Sequence, residues 1–243
     1  MSGHSHWSKV KHKKGAADVE RGKVFSKIIR LITVAAREGG DPEKNSKLRL
    51  AIEKSKEVNM PSSNIERAIK RGVGETGAGG LREILFEAYG PGNIAIIIEG
   101  ITDNKNRSIA EIKHILNANN GKLVSGGSVK WLFEQKGVIT INIKEQAPEL
   151  RDKEEIELKI IDLGAEDIFW KDDNSEIRTE SANLQYLKNK LTEQGIEIES
   201  ADLDWVAKEE ISIPEKEKEA AEKLFLALDE NDAVQEIYSN LKN

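Results

Sequence analysis

Lys9, Lys11, His12, Lys13 and Lys14 fall within six residues, and Trp7 stands just before them. Ammonium groups at this density neutralise phosphates and displace the counterions condensed on a nucleic acid. An indole beside such a run can stack on an unpaired base, a contact worth ~1–3 kcal/mol. His4, His6 and His12 are the only histidine cluster in the chain. With Met1 removed, Ser2-Gly3-His4 would form a terminus able to chelate copper or nickel, ions that imidazole suits. No carboxylate or thiol is placed to help, so hydrogen bonding to phosphate or ribose is the better reading and no metal is expected. The competing reading of the whole segment is a solubilising tail with Trp7 tucked onto the body.

The charge of the chain is divided in the same sense. Residues 1–74 hold 17 Lys and Arg against 8 Asp and Glu, a net +9, whereas residues 75–243 hold 20 against 35, a net −15. The overall −6 conceals this division. A basic module joined to an acidic body is the electrostatic footprint of nucleic-acid binding confined to one part of a protein.

The basic module should be helical. The arm, residues 1–17, lacks apolar periodicity and is expected to be mobile when free. A helix is predicted from about Asp18 to Glu38, with Phe25, Ile28, Ile29, Ile32, Ala35 and Ala36 on one face. Lys23, Lys27, Arg30 and Arg37 fall opposite that face, with Arg21 near its start. Gly39-Gly40 should stop it. Asp41-Pro42 reads as the cap and first residue of a second helix reaching about Asn59, with Leu48, Ala51, Ile52 and Val58 inward. Met60-Pro61 breaks it. Ser63 with Glu66 forms a capping-box pattern for a short third helix burying Ile65, Ala68 and Ile69 and carrying Arg67, Lys70 and Arg71.

Gly72–Gly80 holds five glycines in nine residues and reads as a linker. Its Gly72-x-Gly74-x-x-Gly77 spacing matches a dinucleotide fingerprint, but that fingerprint needs a strand before it. A helix is expected there instead, so a hinge is the better reading.

Beyond the linker the pattern turns to short strands and helices. Strands are predicted at Ile84–Ala88, Ile94–Glu99, Val129–Phe133, Val138–Ile143, Asp167–Trp170, Glu176–Thr179, Glu197–Leu203 and Ala233–Tyr238. Helices are predicted at Arg107–Ala118, Pro148–Leu163, Asn183–Gln194 and Glu215–Asp229. This alternation is that of an α+β protein with small sheets. Thr102-Asp103-Asn104-Lys105-Asn106-Arg107-Ser108 joins a strand to a helix, which makes Asn104, Lys105 and Arg107 a candidate anion site. The same residue types serve as turn and helix caps, and both readings stand.

Several classes find no support. The chain has no cysteine, which excludes disulfides, thiolate metal sites and a cysteine nucleophile. No apolar run approaches a membrane span, Ile94–Ile98 being as long as any. No signal or transit peptide is evident. No catalytic motif or carboxylate pair stands out, so no enzyme activity, cofactor or small-molecule substrate is expected.

These blocks resemble a known family. Gly3-His4-Ser5-His6-Trp7, Lys11-His12-Lys13-Lys14-Gly15, Arg21-Gly22-Lys23-Val24-Phe25, Asn59-Met60-Pro61 and Ile65–Gly72 are similar to the N-terminal domain of the YebC family. Tyr89-Gly90-Pro91-Gly92, Thr102–Arg107 and Gly127-Ser128-Val129 resemble its middle, and Gly164–Asp167 and Asp232–Gln235 its later parts. The resemblance spans nearly the whole chain. It implies a helical N-terminal domain followed by two small α/β domains, one inserted in the other. The boundaries expected here are 1–74, then 81–135 with 208–243, then an inserted 136–207. It also implies a cytoplasmic protein or a mitochondrial relative, and no enzyme. Family members are described as DNA-binding transcriptional regulators, others as ribosome-associated translation activators that relieve stalling. The family pattern has Lys where this chain has His6, which makes the arm's charge pH-sensitive near ~6.5. The charge pattern favours ribosomal RNA as partner, with duplex DNA the alternative. A DNA reader needs a recognition helix, and Asn64–Arg71 is short for one.

Overall fold

The computed structural model describes residues 18–74 and 80–242, with side chains from residue 22 onward. The expectations placed on the arm lie outside the described residues. Apolar spacing produces α1 (Asp18–Ala35), continued by a 3-10 turn over Ala36–Glu38. It packs on α2 (Ser46–Glu57) and α3 (Ser62–Gly72). Ile28, Ile32, Ala35, Ala36, Leu48, Ala51, Met60, Ile65 and Ala68 form the buried core of this bundle. Phe25, Ile29, Ile52, Val58 and Ile69 pack around its edge, half-buried.

Two caps differ from the sequence expectation. α2 starts at Ser46, and its cap is Asn45 rather than Asp41. The Asn45 side chain is buried, accepts the Leu48 N–H at 3.0 Å and donates to the carbonyls of Ala35 and Gly39. One amide therefore satisfies an orphan donor of α2 and the carbonyl end of α1. Asp41 instead closes a local turn, accepting the Glu43 N–H. The Ser63–Glu66 capping box does not form. α3 begins two residues early, at Ser62 behind Pro61, which leaves Ser63 inside the helix. At the other end of α3, Gly72 lies against α1 so closely that a Cβ would collide with the Thr33 carbonyl oxygen and the Ala36 methyl.

The remainder is α+β, built on two four-stranded antiparallel sheets. The first has the order β3-β1-β2-β8. Its members are β1 (Arg82–Tyr89), β2 (Ala95–Thr102), β3 (Lys122–Val124) and β8 (Val234–Ser239). α4 (Lys105–Ala118) runs along β3 and α7 (Glu215–Asp229) along β8, and the two helices touch. Phe86, Ile98 and Ile237 stand in register across three strands, as an apolar layer requires. The expected strand over Val129–Phe133 is absent. Val129 is buried at the end of a loop, Lys130–Leu132 is a 3-10 turn, and the short β3 was not anticipated.

The second sheet has the order β5-β6-β4-β7. It comprises β4 (Phe133–Asn142), α5 (Lys153–Asp162), β5 (Asp167–Lys171), β6 (Asn174–Glu180), α6 (Leu184–Glu193) and β7 (Ser200–Ala207). This is a β-α-β-β-α-β unit. Ile139, Ile141 and Ile177 pack with Ile156 and Ile160 of α5 and with Leu184, Leu187 and Leu191 of α6. β4 runs unbroken through Gly137, where a split was expected.

Chain contacts divide the molecule into two compact units. One holds residues 131–211 with 240–242, which is the second sheet and its helices. The other holds the described residues up to 130 with 212–239, so the bundle and the first sheet belong together.

Candidate nucleic-acid interface

Of the residues the sequence marks for nucleic acid, His4, His6, Trp7, Lys9, Lys11, His12, Lys13, Lys14 and the Arg21 side chain lie outside the described residues. The α1 row is described, and each member has a partner within this chain. Lys23 pairs with Glu230. Lys27 Nζ lies 2.9 Å from Asp229 Oδ1 and donates to the Asp229 carbonyl at 2.8 Å. Arg30 donates to the Asp232 carbonyl at 2.5 Å, and Arg37 to the Leu81 carbonyl.

Three of these partners sit at the C-terminal end of α7 or just beyond it. Orphan carbonyls and the negative end of the helix dipole gather there, and cations are stabilised beside them. The Glu230 carboxylate raises the Lys23 ammonium above its usual range. The periodicity that set Lys23, Lys27, Arg30 and Arg37 on one side of α1 is correct. On that side Lys23 and Lys27 meet carboxylates of the same chain, and Arg30 and Arg37 meet backbone carbonyls.

α3 presents a different picture. Arg67 is held on its own helix by the Ser63 carbonyl and the Asn64 side chain. Lys70 and Arg71, in the last turn, are exposed and make no hydrogen bond or ion pair among the described residues.

The 103–107 segment resolves into a cap and one unpaired cation. Asn104 Oδ1 accepts the Arg107 N–H at 3.1 Å and so caps α4. The Asn104 N–H donates to Thr102 Oγ1, which also accepts from Ser108. The Arg107 guanidinium pairs with Asp103 Oδ1 at 2.7 Å and reaches towards Glu111. Lys105 is exposed and makes no hydrogen bond or ion pair among the described residues.

The fold brings these segments together in a way spacing does not reveal. A cavity of about 250 Å³ is lined by Arg30 of α1, Arg71 at the end of α3, Leu81 and Asp103. Residues from three separate segments, around positions 30, 71–81 and 103, thus share one cleft inside a single unit.

Glu87 is a second feature the sequence did not disclose. It is 3% exposed, two residues before the end of β1. Its carboxylate accepts the N–H groups of Gly127 at 2.6 Å, Val129 at 2.7 Å and Lys130 at 2.9 Å. Burial pushes its pKa up, but the three N–H donors and the Lys130 charge outweigh that and hold it below the usual carboxylate range. Gly127 has φ +87°, a backbone conformation glycine adopts readily. The 125–130 loop is therefore fixed by one carboxylate. Only an acid set between Phe86 and Ala88 in a strand could have signalled this, because the partners are backbone groups forty residues away.

Among the described residues, no group of His, Cys, Asp and Glu is placed to hold a metal. No described helix is long and apolar enough to cross a membrane.

Comparison with known proteins accounts for the full set of elements. Residues 5–75 match the TACO1/YebC protein N-terminal domain, and residues 81–241 match the TACO1/YebC second and third domain. A probable transcriptional regulatory protein of Persephonella marina is 47% identical over 245 residues, spanning 100% of this chain and 96% of that protein. One from Halothermothrix orenii is 44% identical over 99% of this chain and 94% of its own length. The crystal structure of a conserved hypothetical protein from Aquifex aeolicus superposes with a TM-score of 0.87. It is 40% identical and covers 98% of this chain and 96% of that one. The chain belongs to the TACO1/YebC family.

Proposed function

We propose that this protein is a non-enzymatic, nucleic-acid-binding regulator of gene expression. In this reading it acts in the cytoplasm, binds ribosomal RNA through its basic N-terminal part and relieves stalled translation. The observation that carries this reading is unpaired positive charge at the end of α3 and the start of α4. The α1 row is engaged with the α7–β8 corner, whereas Lys70, Arg71 and Lys105 are exposed and unpaired among the described residues. To these the sequence adds the Lys9, Lys11, Lys13 and Lys14 run. Such a set suits phosphate contact along an irregular RNA surface, where recognition works by shape and backbone. A groove-reading helix would need base-directed side chains. On α3, Asn64 and Arg67 are instead bonded to each other.

A second reading, a DNA-binding transcriptional regulator, is favoured by one observation: the similar proteins are named probable transcriptional regulatory proteins. Sedimentation separates the two. The full-length protein should travel with ribosomes in a sucrose gradient, and changing Lys9, Lys11, Lys13 and Lys14 to Ala should release it to the top. Wild-type protein that stays at the top, yet retains duplex DNA, would establish the second reading.

A further inference from the structure

The cleft lined by Arg30, Arg71, Leu81 and Asp103 combines charges that a simple phosphate site would not. Its volume of about 250 Å³ is several times the ~30 Å³ that one water occupies in the liquid, leaving room for a sugar with its phosphate. Arg71 makes no hydrogen bond or ion pair among the described residues. Arg30 uses one guanidinium N–H on the Asp232 carbonyl, and a guanidinium has five. Asp103 pairs with Arg107 through Oδ1 only, which leaves its second oxygen as an acceptor.

Two guanidiniums favour an anion. A carboxylate set among them favours a ligand that also carries a hydroxyl donor, as acidic residues do when they accept from a ribose. The Arg107 charge offsets that of Asp103, so the surroundings remain net positive. Lys70, adjoining Arg71 in the chain, and Lys105, two residues beyond Asp103, add exposed cations for neighbouring phosphates.

We propose that this cleft seats one nucleotide of a bound RNA chain, with Arg71 and Arg30 on its phosphate and Asp103 accepting from its 2′-hydroxyl. The proposal rests on the RNA reading above and makes it specific. It turns the bundle and the α4 start into one site that distinguishes RNA from DNA, since the 2′-hydroxyl is what the two differ by.

The test is fluorescence anisotropy with the full chain and a labelled single strand of about twelve nucleotides, made as RNA and as its uracil-containing 2′-deoxy counterpart. Wild type should bind the RNA form about tenfold tighter, the order expected for one hydrogen bond to a charged group. Asp103→Ala should bring the two affinities together. Arg71→Ala should weaken both probes by about the same factor, on the order of fivefold, as loss of a phosphate contact does. All three side chains concerned, Arg71, Asp103 and its partner Arg107, are exposed, and unchanged melting temperatures would confirm folding. An unaltered RNA preference in Asp103→Ala, an Arg71→Ala that binds as wild type, or a wild type that binds neither probe would overturn the proposal. Ribosome co-sedimentation surviving any of these would leave the broader RNA reading standing; its loss would remove both.

Discussion

Lys27 Nζ lies 2.9 Å from Asp229 Oδ1 and 2.8 Å from the Asp229 carbonyl oxygen, so one ammonium joins α1 to both the side chain and the backbone end of α7. The two side chains are 11% and 24% exposed. Screening is weaker there than at an open surface, and the carbonyl gains a charged donor. Lys27→Ala should therefore cost about 1.5–3 kcal/mol, the range for hydrogen bonds to charged groups. That would lower the melting temperature by several degrees in a chain of this size. Lys23→Ala removes an exposed pair and should leave the melting temperature unchanged. Equal melting of Lys27→Ala and wild type would show that α1 is not held this way.

Glu87 predicts a particular response to acid. Its folded pKa lies below the unfolded carboxylate value, about 4.3. Its contribution is thus complete above that value and is lost as pH falls through the folded one. Glu87→Gln places an amide N–H2 where three N–H donors converge, and should cost about 1–3 kcal/mol at neutral pH. Denaturant titrations at neutral pH and near pH 3 should show the gap between variant and wild type closing in acid. A gap independent of pH would mean the carboxylate charge does not hold the loop.

Gly72→Ala should overpack the contact of α3 with α1. Thr33 meets the added methyl with backbone, which cannot swing aside. Overpacking of this kind costs about 1–3 kcal/mol. A thermal melt matching wild type would show that the helices separate easily.

Salt dependence should divide the basic residues into two groups. Each lost phosphate contact lowers the slope of log affinity against log salt by about 0.7 for single strands. Replacing Lys9, Lys11, Lys13 and Lys14 should flatten the slope markedly. Replacing Lys23, whose charge is spent on Glu230, should not. A slope that responds to Lys23 and ignores the arm would reverse the assignment.

Legibility followed the range of the interaction concerned. The bundle could be read because Ile28, Ile32, Leu48, Ala51, Ile65 and Ala68 repeat at helical spacing, and α7 spans Glu215–Asp229 as its pattern predicts. Asn45 displaced Asp41 as cap because its amide also serves the end of α1, a tertiary demand no local pattern records. Val129 looked like strand because it is apolar, yet its burial serves the Glu87 loop. The α1 row was visible as charge, but the partners of Lys23, Lys27 and Arg30 lie some two hundred residues away. The meeting of Arg30, Arg71 and Asp103 in one cleft was hidden for the same reason.

The central claim is that the basic N-terminal part contacts ribosomal RNA, and ultraviolet crosslinking in cells tests it most directly. Peptides from residues 1–74 and the 103–107 segment should carry ribosomal RNA fragments, and the arm's crosslinks should vanish when Lys9, Lys11, Lys13 and Lys14 become Ala. Crosslinks confined to a few duplex DNA sites, with none to ribosomal RNA, would contradict the account.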